Sequence, residues 1–339
     1  MQRRVRFTMN ETAATTPHPA AVPYNRLGLD YHNIPPRKIA GPIIDAHTHA
    51  HNVDLTRMFL QVADDYSISR IWTMAPLEDV DAMQAAFPGR FEFIAIPKWQ
   101  ELSSQESFID DWLRRLDGFR AKGSRLMKFH AAPGTQKRMG MDLDHPQLQR
   151  VMKHAWNLGF HFMTHVGDPQ DWFGPDKKYK PSDGHKSFAE QFGMLDRMLE
   201  QYPGRTHLGA HMGGSVEALD ALQQRLDRFP HYRVDSSATK WIVRGIARQS
   251  VSRVREFFIH YQQRILFGSD LVIGDKYNYD HYASRYWVHQ HLWETDYDGQ
   301  SPIEDPDVPG GVGRLKGLDL PLPVLEKMYR TNAEEFFNS

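Results

Sequence analysis

From residue 41 onward, short apolar runs alternate with longer stretches whose apolar positions recur every three or four residues. The runs read as strands: "PIIDAHTH", "SRIWTMA", "RFEFIAIPKW", "RLMKFHAA", "HFMTHVG", "THLGAHMGG", "YRVDSSA" and "RILFGSDLVI". Behind each comes a stretch with helical spacing; after the fourth run, Leu148, Val151, Met152, Ala155 and Leu158 mark one apolar face. Strand-then-helix units in series predict an α/β chain with a parallel sheet and helices outside it. Eight such units are the number that closes a (β/α)8 TIM barrel. An open doubly wound sheet has no need to stop at eight, and no glycine-rich phosphate loop follows any strand. No boundary is expected inside 41–339, so the barrel is read as a single domain. Residues 1–40, rich in Pro, Thr and Ala, read as an N-terminal arm, flexible or draped. An insertion at about 276–319 is polar and aromatic. Its "YASRYWVHQHLWET" is a candidate helix, expected to close over the barrel mouth or to form a subunit contact such as a homodimer interface.

Composition narrows the function. A formal net charge of −1 provides no broad field for nucleic acid or an anionic membrane. No run approaches the roughly 18–20 apolar residues of a membrane span. The start carries Arg3 and Arg4 but no apolar stretch after them, so no secretory signal is read. The expectation is a soluble cytoplasmic protein acting on a small molecule. The absence of cysteine removes disulfides, thiolate metal sites and cysteine nucleophiles.

In such a barrel, chemistry collects at the C-terminal ends of the strands. There the sequence places His47 and His49, Lys128 and His130, His165, His211 and Asp270. Side chains alternate along a strand, so His47 and His49 share a face, as do Lys128 and His130. Imidazole nitrogens with one carboxylate are the donor set of a borderline divalent ion such as Zn²⁺. A lone histidine is more often structural, and His154, His161, His207, His231, His260, His281, His289 and His291 are read that way.

These residues resemble the amidohydrolase superfamily, and more narrowly its amidohydrolase-related (amidohydrolase 2) branch of metal-dependent hydrolases and decarboxylases. The carriers are "IIDAHTH", "FMTHVG", "LGAHMGG", "ILFGSD" and the closing "VLEKMYRTNAEEFF". The likeness spans about 42–275 and 320–338. It implies that His47, His49 and His165 bind one divalent ion, Zn²⁺ first and Mn²⁺ second, with Asp270 as a further ligand. It also implies that His211 and Asp270 act on a metal-bound water. In binuclear members a carboxylated lysine on strand four bridges two metals. Lys128 holds that place, but a lysine facing an anionic substrate group or a nearby acid is the preferred reading.

The resemblance leaves the reaction open. Hydrolysis of a lactone, ester or amide needs an activated water, a proton carrier and room for a carbonyl. Non-oxidative decarboxylation of an aromatic or unsaturated acid wants an added cation for the carboxylate. Candidate cations are Arg57, Lys240 and Arg244. The loop bearing Trp172, Phe173, Lys177, Lys178 and Lys180 could cap a planar anion. A metal-dependent hydrolase is the leading reading, a carboxy-lyase the alternative. An inactive binding barrel is disfavoured because every expected ligand is present.

Overall fold

A computed structural model describes residues 22–99, 104–214 and 216–338; the predicted arm over residues 1–21 lies outside them. Nine strands form one parallel sheet: β1 (Ile43–His49), β2 (Ile68–Met74), β3 (Phe91–Ala95), β4 (Leu126–Ala131), β5 (His161–Val166), β6 (His207–Gly209), β7 (Tyr232–Asp235), β8 (Ile265–Leu266) and β9 (Leu271–Val272). Their order is β8-β7-β6-β5-β4-β3-β2-β1-β9. β8 pairs with β7 and β9 pairs with β1, so the two short strands are halves of one broken eighth strand that closes a TIM barrel. The seam also carries Ala46 N to Phe267 O (2.9 Å), Asp270 N to His47 O (2.8 Å) and Ile273 N to His49 O (3.2 Å). The sequence suggests an unbroken strand over "RILFGSDLVI". The break falls at Gly268–Ser269–Asp270, and Asp270 has φ 59°, a left-handed conformation no strand continues through.

Two apolar layers hold the barrel. Ile44, Ala46, Trp72, Ile94, Leu126, Met163, Leu208 and Leu266 fill its lower interior. Phe336, near the chain's end, packs edge-on to Trp72 (5.3 Å between ring centroids) and plugs the bottom. The larger layer lies between the strands and the surrounding helices and includes Phe59, Trp112, Phe129, Phe162, Tyr232 and Phe267. A helix at Pro133–Met139 interrupts what the sequence presents as a loop after β4.

The excursion after the eighth strand is ordered. Residues Tyr279–Glu294 form a helix, followed by an antiparallel hairpin of β10 (Asp298–Glu304) and β11 (Val312–Lys316). This helix is buried nearly all round, which suits one packed on both sides. Phe59, on the helix after β1, packs against Tyr282 and Tyr286 at 5.6 and 6.5 Å. The helix therefore packs in the outer ring, and His281 and Arg285 near its start line a cavity beside Asp270. Residues 22–40 run along its other side. His32 stacks on Tyr279 (4.1 Å), and Arg37 pairs with the buried Glu294 through Nε at 2.8 Å. No helix among the described residues is long and apolar enough to cross a membrane.

One buried histidine predicts how the barrel responds to acid. His207 opens β6; its Nε2 lies 3.0 Å from Tyr202 O, while its Nδ1 is buried without a partner among the described residues. Burial, with His231 nearby, lowers its pKa to about 3. Above pH 6.5 the ring is neutral folded and unfolded, so it does not affect stability. Below that, the unfolded chain takes a proton the folded one refuses, and stability falls by about 1.4 kcal/mol per pH unit down to the folded pKa. His207→Gln, which can keep the bond to Tyr202 O, should flatten this part of the loss. Urea midpoints for wild type and variant at pH 6 and pH 4 check it; equal acid losses in the two proteins would contradict it.

Candidate metal centre

The centre begins with an irregularity in β1. Asp45 pairs with Ile71 and Thr48 with Thr73, so β1 uses three steps where β2 uses two. That is a bulge, a device that re-aims side chains. Ile44 and Ala46 point into the lower interior, and without the bulge His47 and His49 would face outward. Asp45 holds the bulge in place. Its carboxylate accepts from His47 N (3.2 Å), Ser269 N (3.0 Å), Ser269 Oγ (2.5 Å) and Tyr286 OH (3.0 Å), tying β1 to the break in strand eight. Burial raises its pKa to about 6 against the pull of these donors. Gly268 completes the fit, since a Cβ there would lie 2.9 Å from His47 Cβ and 3.2 Å from Ser237 Cβ.

At the top, Nε2 of His47 and Nε2 of His49 each lie 3.2 Å from Asp270 Oδ1. His47, His49 and Asp270 thus bring one donor atom each within 4.8 Å of one another. His47 is oriented from behind: its Nδ1 lies 2.9 Å from Asp235 Oδ2 and 3.0 Å from Ser237 Oγ. A carboxylate on Nδ1 fixes the tautomer that leaves Nε2 as the ligating nitrogen. Burial opposes the charge on Asp270, yet His211, His47 and His49 hold its carboxyl well below the ordinary range. Burial and Lys128 press His47 down, but Asp235 and Asp270 outweigh them and raise it. His49, by contrast, is lowered to about 4, first by burial, so it presents a neutral imidazole to the Asp270 carboxylate. Two imidazole nitrogens and a carboxylate oxygen around one space fit a divalent ion.

The other predicted residues surround this trio. Lys128 is buried, with Nζ 2.8 Å from His47 Nε2, and burial pushes its amine below the ordinary value. His165 stands 4.6 Å from His211 and 4.8 Å from His130, ring to ring. Its Nε2 is held by Asp168 Oδ1 at 2.9 Å, which leaves Nδ1 as the nitrogen free for a ligand. Asp168 is itself hydrogen-bonded by Tyr179 OH. His211, Met212, Gly213 and Gly214 all have positive φ, forming one left-handed turn after β6. His211 N donates to Asp235 Oδ1 (2.9 Å), and the turn lays the imidazole against His47, 4.9 Å between centroids. Burial drives the His211 pKa well below its usual value.

Two cavities open on either side of the His49–Asp270 contact. One, of about 380 Å³, is walled by His49, Met74, Ile96, Trp99, Lys128, His130 and Arg138. His130 is kept neutral there, its pKa lowered to about 2 by burial and by His165 and Lys128, and its Nδ1 is 2.6 Å from Thr135 Oγ1. The other, of about 270 Å³, includes Lys240, Trp241, Asp270 and Arg285. Trp172 is one ring removed: it sits edge-on to Trp241, which meets His165 and His211, and carries Lys178 Nζ over its face at 3.4 Å. Arg57 lines neither cavity. It is mostly exposed, beside Asp54 at 3.9 Å and over the Phe87 ring. Arg244 also lines neither cavity and is buried in an ion pair with Asp305. Asp235, Asp168, Ser237, Trp241, Arg138 and Arg285 were not singled out by sequence. For Asp235 a signal existed, an acid at a strand C-terminus in "RVDSSA".

Comparison with known proteins identifies the family. A family model described as Amidohydrolase matches residues 44–338. No curated protein sequence matches significantly. Among solved structures, an apo protein from Agrobacterium tumefaciens is 12% identical and covers 89% of this chain and 97% of its own, with a TM-score of 0.49. An amidohydrolase from Burkholderia multivorans solved with bound Zn is 12% identical, covering 88% and 99%, TM-score 0.49. A TatD homolog from Escherichia coli K12 is 14% identical, covering 73% and 90%, TM-score 0.44. With the family model spanning β1 through the last helix, the chain belongs to the amidohydrolase family of metal-dependent enzymes.

Proposed function

We propose that this protein is a metal-dependent hydrolase that opens a lactone, ester or amide bond in a small carboxylated substrate. The observation that carries the reading is Asp270 Oδ1 standing 3.2 Å from the Nε2 atoms of both His47 and His49. His47, His49 and Asp270, with His165 as the further ligand, would hold a divalent ion, Zn²⁺ being the natural choice for this donor set, and the ion would supply Lewis acidity and water acidified to a pKa of about 7.

The residues then divide the proton work. Asp270 Oδ1 faces the two imidazoles, and its Oδ2 has no hydrogen-bond partner among the described residues. That oxygen takes the proton of the attacking water and returns it to the leaving group. Ser237 gives its hydroxyl proton to Asp235, so its oxygen accepts from His211 Nδ1 at 2.8 Å. This leaves His211 Nε2 as an acceptor, able to position the water or share its proton. Lys128 lies against His47 Nε2 and offers its ammonium to negative charge developing on the carbonyl oxygen or to an anionic substrate group.

A second reading is non-oxidative decarboxylation, favoured by Arg138, which lines the larger cavity and lies over Trp99 at 5.4 Å. It would hold the carboxylate of a planar acid. Zinc-loaded protein should therefore be assayed over a panel of lactones, esters, amides and carboxylated aromatics, following both acid release and CO₂ release. The expected result is acid release that stops with a chelator and returns with Zn²⁺. Chelator-sensitive CO₂ release without acid release would replace hydrolysis by decarboxylation.

A further inference from the structure

The smaller cavity beside Asp270 contains an electrostatic imbalance. Lys240 stands in the first turn of the helix Thr239–Ala247, and Arg285 projects from the helix Tyr279–Glu294. Arg285 Nη1 donates to His281 O and to Ser284 Oγ, both at 2.9 Å. Its Nε and Nη2, and Lys240 Nζ, have no acceptor among the described residues. Among the described residues neither cation pairs with a carboxylate. Four other inward-facing arginines do: Arg37 with Glu294, Arg115 with Glu78, Arg225 with Asp196 and Arg244 with Asp305.

The surroundings do not neutralise the pair. Burial and mutual repulsion lower the pKa of Lys240, and burial brings Arg285 to about 10. His281 is neutral, its pKa about 3 through burial and the nearby cations. The acids acting on Lys240 are engaged elsewhere, Asp305 and Asp307 with Arg244 and Glu304 with Arg26, and Asp270 in the same wall is turned to His47 and His49. Holding two cations together, half-buried, without a counter-charge is unfavourable unless an anion arrives. Asp270 lies in the same wall, so an anion seated here belongs to a molecule that also reaches the reacting carboxylate.

We infer that Arg285 and Lys240 form the binding site for a carboxylate at the end of the substrate remote from the scissile bond. The free Nε and Nη2 of Arg285 present the planar fork that suits two carboxylate oxygens, with Lys240 as a point charge beside it. No glycine lines the cavity to supply the backbone nest that phosphate sites use. The apolar half of the substrate then falls in the larger cavity, against Trp99. The inference rests on the hydrolase reading for the position of the reacting bond, but the anion site can be tested without turnover.

Succinate binding to the zinc-loaded full chain, measured by calorimetry, is the test. Wild type should bind it. Arg285→Gln should weaken binding by about tenfold or more, the cost of losing charged hydrogen bonds, and Lys240→Gln should weaken it less. Asp270→Asn should keep or tighten binding, because a negative charge leaves the wall. Lys240→Gln on a half-exposed helix start keeps the test open if Arg285→Gln does not fold, as thermal unfolding would show. No binding by wild type, equal binding by wild type and both cation variants, or loss of binding in Asp270→Asn alone would overturn the assignment. So would inorganic phosphate binding tenfold more tightly than succinate in an Arg285-dependent way. Undiminished, wild-type turnover in Asp270→Asn would sink the proton step of the hydrolase reading while leaving this anion site standing.

Discussion

Asp270→Asn is expected to lower turnover by about 10³-fold while leaving the barrel folded, in line with the 10²–10⁴ a positioned acid–base group contributes. The residue sits in the break of strand eight, and its backbone N–H still donates to His47 O whatever the side chain is. An amide keeps the shape and one oxygen near the two imidazoles, but it cannot take a proton from water. Zinc content measured after dialysis separates the two jobs of the carboxylate. Zinc retained with turnover lost assigns the defect to proton transfer; zinc lost together with turnover assigns it to ligation. Wild-type turnover in the variant would remove Asp270 from the reaction altogether. His47→Ala belongs with it, since it deletes the imidazole that links Asp270, Lys128 and Asp235.

Much of this arrangement is legible in the sequence, and what is not has identifiable causes. The eight-fold alternation of runs and helices carries the barrel, because parallel strands buried on both faces are continuously apolar. Period-two alternation places His47 and His49 together, and they are together. It does not show that they face inward only because of a bulge, since a bulge is a property of pairing between β1 and β2 and leaves no mark in β1 alone. The bulge's anchor, Asp45, reads in sequence as one more acid in "DAHTH". Arg57 illustrates the opposite error: nearness to a strand end in sequence says nothing about which side of the next helix a residue faces. Arg285 was hidden because the helix carrying it has no polar stripe to orient it. It is buried by the barrel on one side and residues 22–40 on the other.

The second large effect is expected at a residue that touches neither the proposed ion nor substrate. Asp235 is fully buried at the end of β7 and accepts from His211 N, Ser237 N and Ser237 Oγ, while its Oδ2 faces His47 Nδ1. Burial opposes its charge, but His47 and these hydrogen bonds hold its pKa below the ordinary value, so it is an anion at neutral pH. Asp235→Asn keeps the volume and removes the charge. Its amide turned toward His47 would face the ring's N–H, driving the proton from Nδ1 to Nε2 and blocking the nitrogen that faces Asp270. We expect zinc affinity to fall by about 10–100-fold, the usual cost of losing a carboxylate behind a ligating histidine. Competition with a chromophoric chelator measures this without any substrate. Activity should recover part of its loss at high zinc, because the fault lies in holding the ion and not in the proton step. The same addition should do nothing for an Asp270→Asn protein that already keeps its zinc. An Asp235→Asn protein with undiminished zinc affinity would mean that His47 is oriented by Ser237 alone, 3.0 Å from the same nitrogen.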